Sequence, residues 1–572
     1  MQPLDKLKAE TEAAIASLFT INLSQNRQYE TGDYFFFVAQ GAKRIKNILG
    51  IEKEVIIVGN SYKDQQVRSV KFARVTIDAL EGRVEANICI FVHQDPRGNA
   101  KLKRWGREHG LAIIPIYTPD GIMPRGQELE RTLSFEFFTQ DPFDITGPVA
   151  NDSQFFGRRT EAQELARKLQ LGQIRSCFGI RKIGKTSILH RVLSEIKSNY
   201  EAVTIFVDCQ RDDVFNLTAA SLLNSITATL NYLADTGYLY SEVDAIDDHL
   251  ETKDAAKEFQ AALKRFAIPV IVAFDEIDYI TPSNAGSLQW RSGFVEFWRN
   301  VRAAYHAATR DDRRISLLVS GVSSRWFMVE SVDGTENAAL AFVPEEYVTP
   351  LPRGAAKAMI KATGAMAGLR FDEPAQDFIA ASCSDMPFWI RKACSFFHGK
   401  IETSIRPVQL SRATLEPLMT QWIGDEGSSI AHVALQHLFR VYPELREPAL
   451  RLLSSSSELN PKMKRTLVRY GICDAQGRIT GAMMKSALEL VSFDSHEAPA
   501  PLETKGNADT NIRVNDWAEE LSGISYRRNL MEKSLRSIVI NFVRVSSLSE
   551  KKISIREGSN TVGTARKETR RA

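Results

Sequence analysis

Cysteine is scarce in this chain: six residues in 572, at Cys89, Cys177, Cys209, Cys383, Cys394 and Cys473. None forms a C-x-x-C pair and most sit in apolar runs. That argues against a zinc site or disulfide framework and for buried, reduced thiols. No stretch approaches about 18 uninterrupted apolar residues, so no membrane-spanning helix is expected. Met1 to Glu12 mixes acids and bases without an apolar centre, which points away from a secretory leader and towards the cytoplasm. One-signed charge is lacking as well. The net charge of +3 is small for this length, so affinity for nucleic acid would need a local basic patch. Internal repeats are absent. What remains is an ordinary globular composition, 44% hydrophobic and 25% charged, long enough for roughly three or four domains.

Residues 1–140 read as a small α/β domain. Helices are expected at Leu4 to Leu18, Tyr34 to Leu49 and near Ala100 to Trp105, and strands at Glu54–Gly59, Asn87–Val92 and Leu111–Ile116. Continuous apolar strands alternating with helices imply a mostly parallel sheet. Asp141 to Asp152, with Gly147-Pro148 inside it, reads as a linker. Residues 153–350 repeat the strand–helix alternation of a doubly wound domain, and a helical stretch follows over 351–425. Within 426–493, a helix ending at Lys464 to Tyr470, a turn at Asp474 to Gly477 and an extended Arg478 to Thr480 have the look of a winged helix. After a polar linker, Met531, Leu535, Ile538, Phe542 and Val545 share one face of a helix within 511–550. Residues 551–572 read as a basic tail.

The residues that carry chemistry begin at Gly179, where Gly179-Ile180-Arg181-Lys182-Ile183-Gly184-Lys185-Thr186 fits G-x-x-x-x-G-K-T at every fixed position. Glycines let successive N–H groups turn towards phosphate oxygens. Lys185 would reach the β- and γ-phosphates and the Thr186 hydroxyl would ligate Mg²⁺. A short strand before the loop and a helix after it supply the context an anion needs. A chance match in a chain this long is on the order of one per cent. Pro269 to Phe274 is a second apolar strand, and it ends in Asp275-Glu276. There Asp275 would hold Mg²⁺ and Glu276 would orient or deprotonate the attacking water. The bland alternative is a core strand ending in a solvated acidic turn that includes Asp278. Ile315 to Gly321 is a third such strand, with Ser320 at its end as a candidate sensor of the γ-phosphate or a simple turn residue.

Ahead of the loop, Phe155-Phe156-Gly157-Arg158-Arg159-Thr160-Glu161 resembles the F-x-G-R-x-x-E segment of the STAND and archaeal-type ATPases, relatives of the AAA+ origin-recognition ATPases. The loop itself, with Arg181-Lys182 inside and Ser187-Ile188-Leu189 after it, is similar to their phosphate loop. Val207 to Gln210 resembles their second strand, and Pro350-Leu351-Pro352 the turn into their helical lid. The resemblance covers roughly Ser153 to Phe397. It implies a P-loop NTPase core with a helical lid and a winged-helix module, the nucleotide lying between core and lid with Phe156, Gly157 and Arg158 near the adenine. Asp385 stands where the family usually has glycine, which puts a contact from Pro387 in question. Arg391, one turn on, reads more readily as an exposed helix charge than as a lid arginine.

These features predict an ATP- and Mg²⁺-dependent ATPase, acting as a regulatory switch with a protein partner or through self-association. Two alternatives stand beside it. One is a DNA-associated AAA+-type ATPase, with Lys462, Lys464, Arg465, Arg469 and Arg478 facing the duplex. The other is an ATPase that gates an enzymatic N-terminal domain, although no D…E-x-K nuclease pattern stands out among Glu85, His93 and Asp95.

Overall fold

A computed structural model of the chain describes residues 3–80, 82–145, 147–149, 154–246, 252–283, 289–454 and 459–497. The C-terminal helix and tail expected over 511–572 lie outside them.

The first domain is one five-stranded sheet in the order β1 (Phe19–Tyr29), β2 (Gly32–Gly41), β3 (Glu54–Gly59), β4 (Val84–His93) and β5 (Ala112–Tyr117). β3, β4 and β5 run parallel, β2 is antiparallel to β3, and β1 is antiparallel to β2. Tyr34 to Ala39 lies inside β2, so the helix expected from Tyr34 to Leu49 is corrected to a strand followed by the short helix Lys43–Leu49. The physical reason is burial on both faces: Tyr34-Phe35-Phe36-Phe37-Val38-Ala39 is wholly interior, and aromatic and β-branched side chains suit a covered pleat.

The second domain holds a sheet in the order β6 (Arg175–Phe178), β10 (Ile315–Gly321), β9 (Val270–Asp275), β7 (Val203–Asp208) and β8 (Tyr240–Glu242), every pair parallel. The segment Glu346 to Val348 runs beside β6: Phe178 N–H donates to the Glu346 carbonyl at 2.9 Å and Val348 N–H to the Phe178 carbonyl at 2.8 Å. The chain leaves β6 for β7, returns through β9 and β10, and then passes over β6. That reversal creates a crevice at the carboxyl ends of the strands, where doubly wound sheets take their ligands.

The stretch expected as a helical lid, called the lid below, comprises helices Arg353–Met366, Glu373–Ser382, Pro387–Lys400 and Arg412–Trp422, with a small parallel pair, Leu369–Phe371 and Val408–Leu410. Asp372 and Ser411 cap two of these helices by accepting from the Ala375 and Thr414 N–H groups, a contribution of about 1 kcal/mol each. Helices Ser428–Val441, Arg446–Arg451, Pro461–Arg469 and Ala482–Glu497 form the C-terminal module. A bridge between Cys473 and Ile479 closes the wing-like turn expected there. All six cysteines are buried and unpaired. No helix of the described residues is long and apolar enough to cross a membrane.

Candidate functional site

The loop after β6, the acids after β7 and β9, and the first turn of the lid's third helix converge on one cavity of about 340 Å³. Arg181, Lys182, Gly184, Lys185, Thr186 and Ser187 line one wall, and Asp208, Gln210, Asp275 and Glu276 another. Lys185 opens the Lys185–Asn199 helix, so its first-turn N–H groups face the cavity end. Its side chain is buried and the ammonium donates to the Gly179 carbonyl at 3.2 Å. Gly184 precedes the helix at φ +105, a conformation that favours glycine, and a Cβ there would meet Arg158 Nη1 at 3.0 Å.

The acidic wall differs from the solvated turn that was the bland expectation. Asp275 is buried and its Oδ1 accepts from the Glu276 N–H at 3.0 Å, while Glu276 adopts the left-handed φ of +49. Asp278 is buried too, accepting from Val322 N–H and, at 3.1 Å, from Ser323 N–H. Burial pushes its carboxyl up to about 6. Burial also raises Asp208, and the nearby Asp275 and Glu276 carboxylates raise it further. Three carboxylates, Asp208, Asp275 and Glu276, thus line the same cavity as Lys185. No cluster of three or more His, Cys, Asp or Glu poised to hold a metal exists among the described residues. A Mg²⁺ here would therefore complete its shell with phosphate and water oxygens, as Mg²⁺ ordinarily does.

The Phe156-Gly157-Arg158 segment divides its tasks. Phe155 and Phe156 line the cavity. Gly157 sits at φ +74, where a Cβ would stand 2.3 Å from the Ala355 Cβ of the lid's first helix. Arg158 is buried and ties the loop to the lid's entrance, its Nη1 donating to the Ile183 carbonyl at 2.8 Å and its Nη2 to the Thr349 carbonyl. Gly179 packs against the Val348 carbonyl. Ser320 is wholly buried in β10, its Oγ makes no hydrogen bond, and it is not among the residues lining the cavity.

The lid supplies what sequence reasoning set aside. Arg391 is 6% exposed rather than a surface charge; its Nη2 donates to the Gln154 carbonyl at 3.1 Å and its Nη1 has no partner. It lines the cavity with Leu351, Met359, Pro387 and Phe388, and burial lowers its guanidinium to about 10. Asp385 takes the left-handed φ of +54 that glycine would otherwise supply, held by a two-pronged ion pair with Arg353 at 2.6 and 2.8 Å. The expected linker contributes Ile145, Gly147, Pro148 and Val149 to the cavity, and Val149 N–H donates to Ser187 Oγ at 2.9 Å. In the C-terminal module, burial, then the charges of Arg181, Arg440 and Lys185, hold the His437 imidazole down at about 4.

The basic residues of the proposed recognition helix are only partly presented to solvent. Lys462 and Arg465 are exposed, whereas Arg469 pairs with Glu345 at 3.0 Å and lies over the Tyr347 ring. Tyr470 donates its hydroxyl to the Val322 carbonyl at 2.7 Å, docking the helix end on the core.

No family model matches the sequence, and no curated protein matches it. Among solved structures, the chain is distantly similar to a Walker-type ATPase of Pyrococcus abyssi, at 14% identity and a TM-score of 0.41, covering 61% of this chain and 99% of that one. It is also similar to the ORC1 protein of Aeropyrum pernix solved in complex with DNA, at 14% identity and a TM-score of 0.31, covering 60% and 94%. Domain III of the replication initiation protein DnaA of Thermotoga maritima aligns at 12% identity and a TM-score of 0.29, covering 48% and 98%.

Proposed function

We propose that this protein is a Mg²⁺-dependent ATPase of the lidded P-loop type, using the nucleotide as a conformational switch. The observation that carries the reading is the convergence of the Gly179–Thr186 loop, the Asp275-Glu276 strand end and Arg391 of the lid on one cavity. Lys185 and the loop N–H groups hold the phosphates, with Arg181, Gly179, Gly184 and Ser187 shaping the cradle. Thr186 and Asp275 hold Mg²⁺, whose charge neutralises the phosphates when bound. Glu276 positions the attacking water and takes its proton. The apolar lining from Ile145, Val149, Phe156, Leu351 and Met359 encloses the base. Ser320, at the end of β10 between β6 and β9, is buried outside this lining and is assigned no contact with the γ-phosphate.

Arg391 then acts as the lid's phosphate contact. Arg391→Ala is expected to weaken ATP binding about 10- to 100-fold, a charge-assisted hydrogen bond being worth about 1.5–3 kcal/mol. Titration calorimetry with ATP·Mg²⁺ checks this; unchanged affinity assigns Arg391 to packing alone.

A second reading, a DNA-associated ATPase, is favoured by the exposed Lys462 and Arg465 on one helix of the C-terminal module. Mass in solution, measured with and without ATP and with and without duplex DNA, separates the two. Nucleotide-dependent self-association without DNA binding supports the switch. Salt-sensitive DNA binding lost in Lys464→Ala/Arg465→Ala supports the second reading.

A further inference from the structure

The N-terminal domain is fastened to the lid. Its last helix, Gly126–Phe138, ends in the Phe138 carbonyl, which accepts from Arg406 Nη1 at 2.8 Å and from His398 Nε2 at 3.0 Å, both lid residues. Arg406 is buried and donates as well to the Ala367, His398 and Ile401 carbonyls, so one guanidinium joins the two bodies through backbone alone. Its Nε has no partner, but the two terminal nitrogens hold four carbonyls across the junction, and sliding would leave them as further uncompensated buried donors. Arg370 of the lid donates in addition to the Asn47 carbonyl of the first domain.

The segment leaving that domain then crosses the lid before it reaches the nucleotide cavity. Asp141 accepts from Ser395, and Asp144 pairs with Lys392 at 2.9 Å, both partners lying on the Pro387–Lys400 helix that also carries Arg391. Phe143 between them is 1% exposed and packs into the core shared by lid and ATPase domain. A few residues on, Val149 ends on Ser187, beside Thr186. The other face of this strap borders a second cavity whose walls include Arg107, His109 and Gln140 of the first domain. Ile145, Gly147, Pro148, Val149 and Gln154 line both cavities, so the strap is the partition between them.

We propose that the N-terminal domain and the lid move as one body, and that the strap from Asp141 to Val149 makes this body the regulator of nucleotide release. The proposal rests on the nucleotide site argued above. A partner that engages the first domain would act on the lid directly, through Arg406 and the strap, with no separate relay. The first domain is then a lever on the ATPase, which gives it a role that requires no chemistry of its own.

The test uses the full chain and the dissociation of N-methylanthraniloyl-ADP with Mg²⁺. Lys392→Glu sets two carboxylates against each other across the strap and should speed release at least about 5-fold, the lower end of typical coupling between sites. Asp144→Lys should do the same, and the exchanged pair Asp144→Lys/Lys392→Glu should return release towards wild type. Lys392 also lies 5.8 Å from the Phe388 ring, and that contact stays broken in the double variant. Absence of rescue therefore assigns the effect to Phe388 and overturns the proposal. Unchanged release in both single variants also overturns it, while nucleotide binding that Lys185→Ala abolishes would leave the site itself intact. Spin labels offer a second measurement. With nucleotide, a Lys71→Cys/Glu402→Cys pair should hold its distance and a Lys71→Cys/Lys197→Cys pair should change. A shift in the first pair, or in neither despite bound nucleotide, overturns the single-body claim.

Discussion

Lys185→Ala should abolish nucleotide binding while leaving the fold in place. The lysine begins the Lys185–Asn199 helix, where alanine is the best helix former, so the backbone has no reason to change. What disappears is the one lysine of the loop that is buried at the cavity wall, in the cavity that Asp208, Asp275 and Glu276 also line. A charge-assisted hydrogen bond to phosphate contributes about 3 kcal/mol, which is about 100-fold in affinity, and loss of a second contact to the γ-phosphate would deepen that. The wild-type ammonium donates to the Gly179 carbonyl, so the variant also loses a restraint on the loop's first turn. Thermal unfolding with and without millimolar ATP·Mg²⁺ is the direct measurement. The wild type should be stabilised by mass action, and the variant should show no shift. A variant that kept the full shift would falsify the nucleotide site, and with it every role assigned around Lys185.

The strands that carry this site were legible because they are covered on both faces. β3, β9 and β10 are wholly buried, so each carries an apolar run, Val55 to Val58, Val270 to Phe274 and Leu317 to Val319, and polar residues fall at or near the strand ends. β2 is buried from Tyr34 to Ala39, yet its aromatic run flows into the short helix Lys43–Leu49, and the local pattern does not mark where strand gives way to helix. β1 escaped for the opposite reason. Its Thr20 to Tyr29 stretch is largely polar and solvent-facing, and it exists as a strand because β2 pairs with it along its length. Local sequence carries little of that pairing.

The same distinction divides the site. The Gly179–Thr186 loop and Asp275-Glu276 are local patterns whose spacing states their chemistry. Arg391 is not, because its backbone partner Gln154 and the Phe155 and Phe156 that line the cavity with it lie far away in the sequence. The strap looked like a plain Pro- and Gly-bearing linker for the same reason: its meaning lies in Ser187, Lys392 and Ser395, which it meets only in the fold. His437 carries no signal at all in the sequence, being a polar residue on a largely apolar buried face, and only the fold brings it within the field of Arg181 and Lys185. Contacts between domains are thus the part of this site that one sequence leaves unwritten.

Glu276→Gln should separate binding from turnover. Glutamine keeps the length and planarity of glutamate, and the left-handed backbone at φ +49 is fixed by the hydrogen bond from its own N–H to Asp275 Oδ1, which the substitution leaves alone. Asp275, Thr186 and Lys185 would hold Mg²⁺ and phosphates as before, so ATP affinity should stay within about 3-fold of wild type, under 1 kcal/mol. The attacking water, however, loses the only carboxylate at the end of β9 that is neither buried against the backbone nor assigned to the metal. Removing a positioned general base typically costs 10²–10⁴-fold, so phosphate release at saturating ATP·Mg²⁺ should fall by about that factor. Because chemistry would then be slower than any lid motion, the variant should also accumulate ATP rather than ADP in its cavity. Quenched samples analysed for bound nucleotide check this point. ADP predominating in Glu276→Gln at steady state, or phosphate release near the wild-type rate, would move the water-activating role to another carboxylate, with Asp208 the next on the same wall.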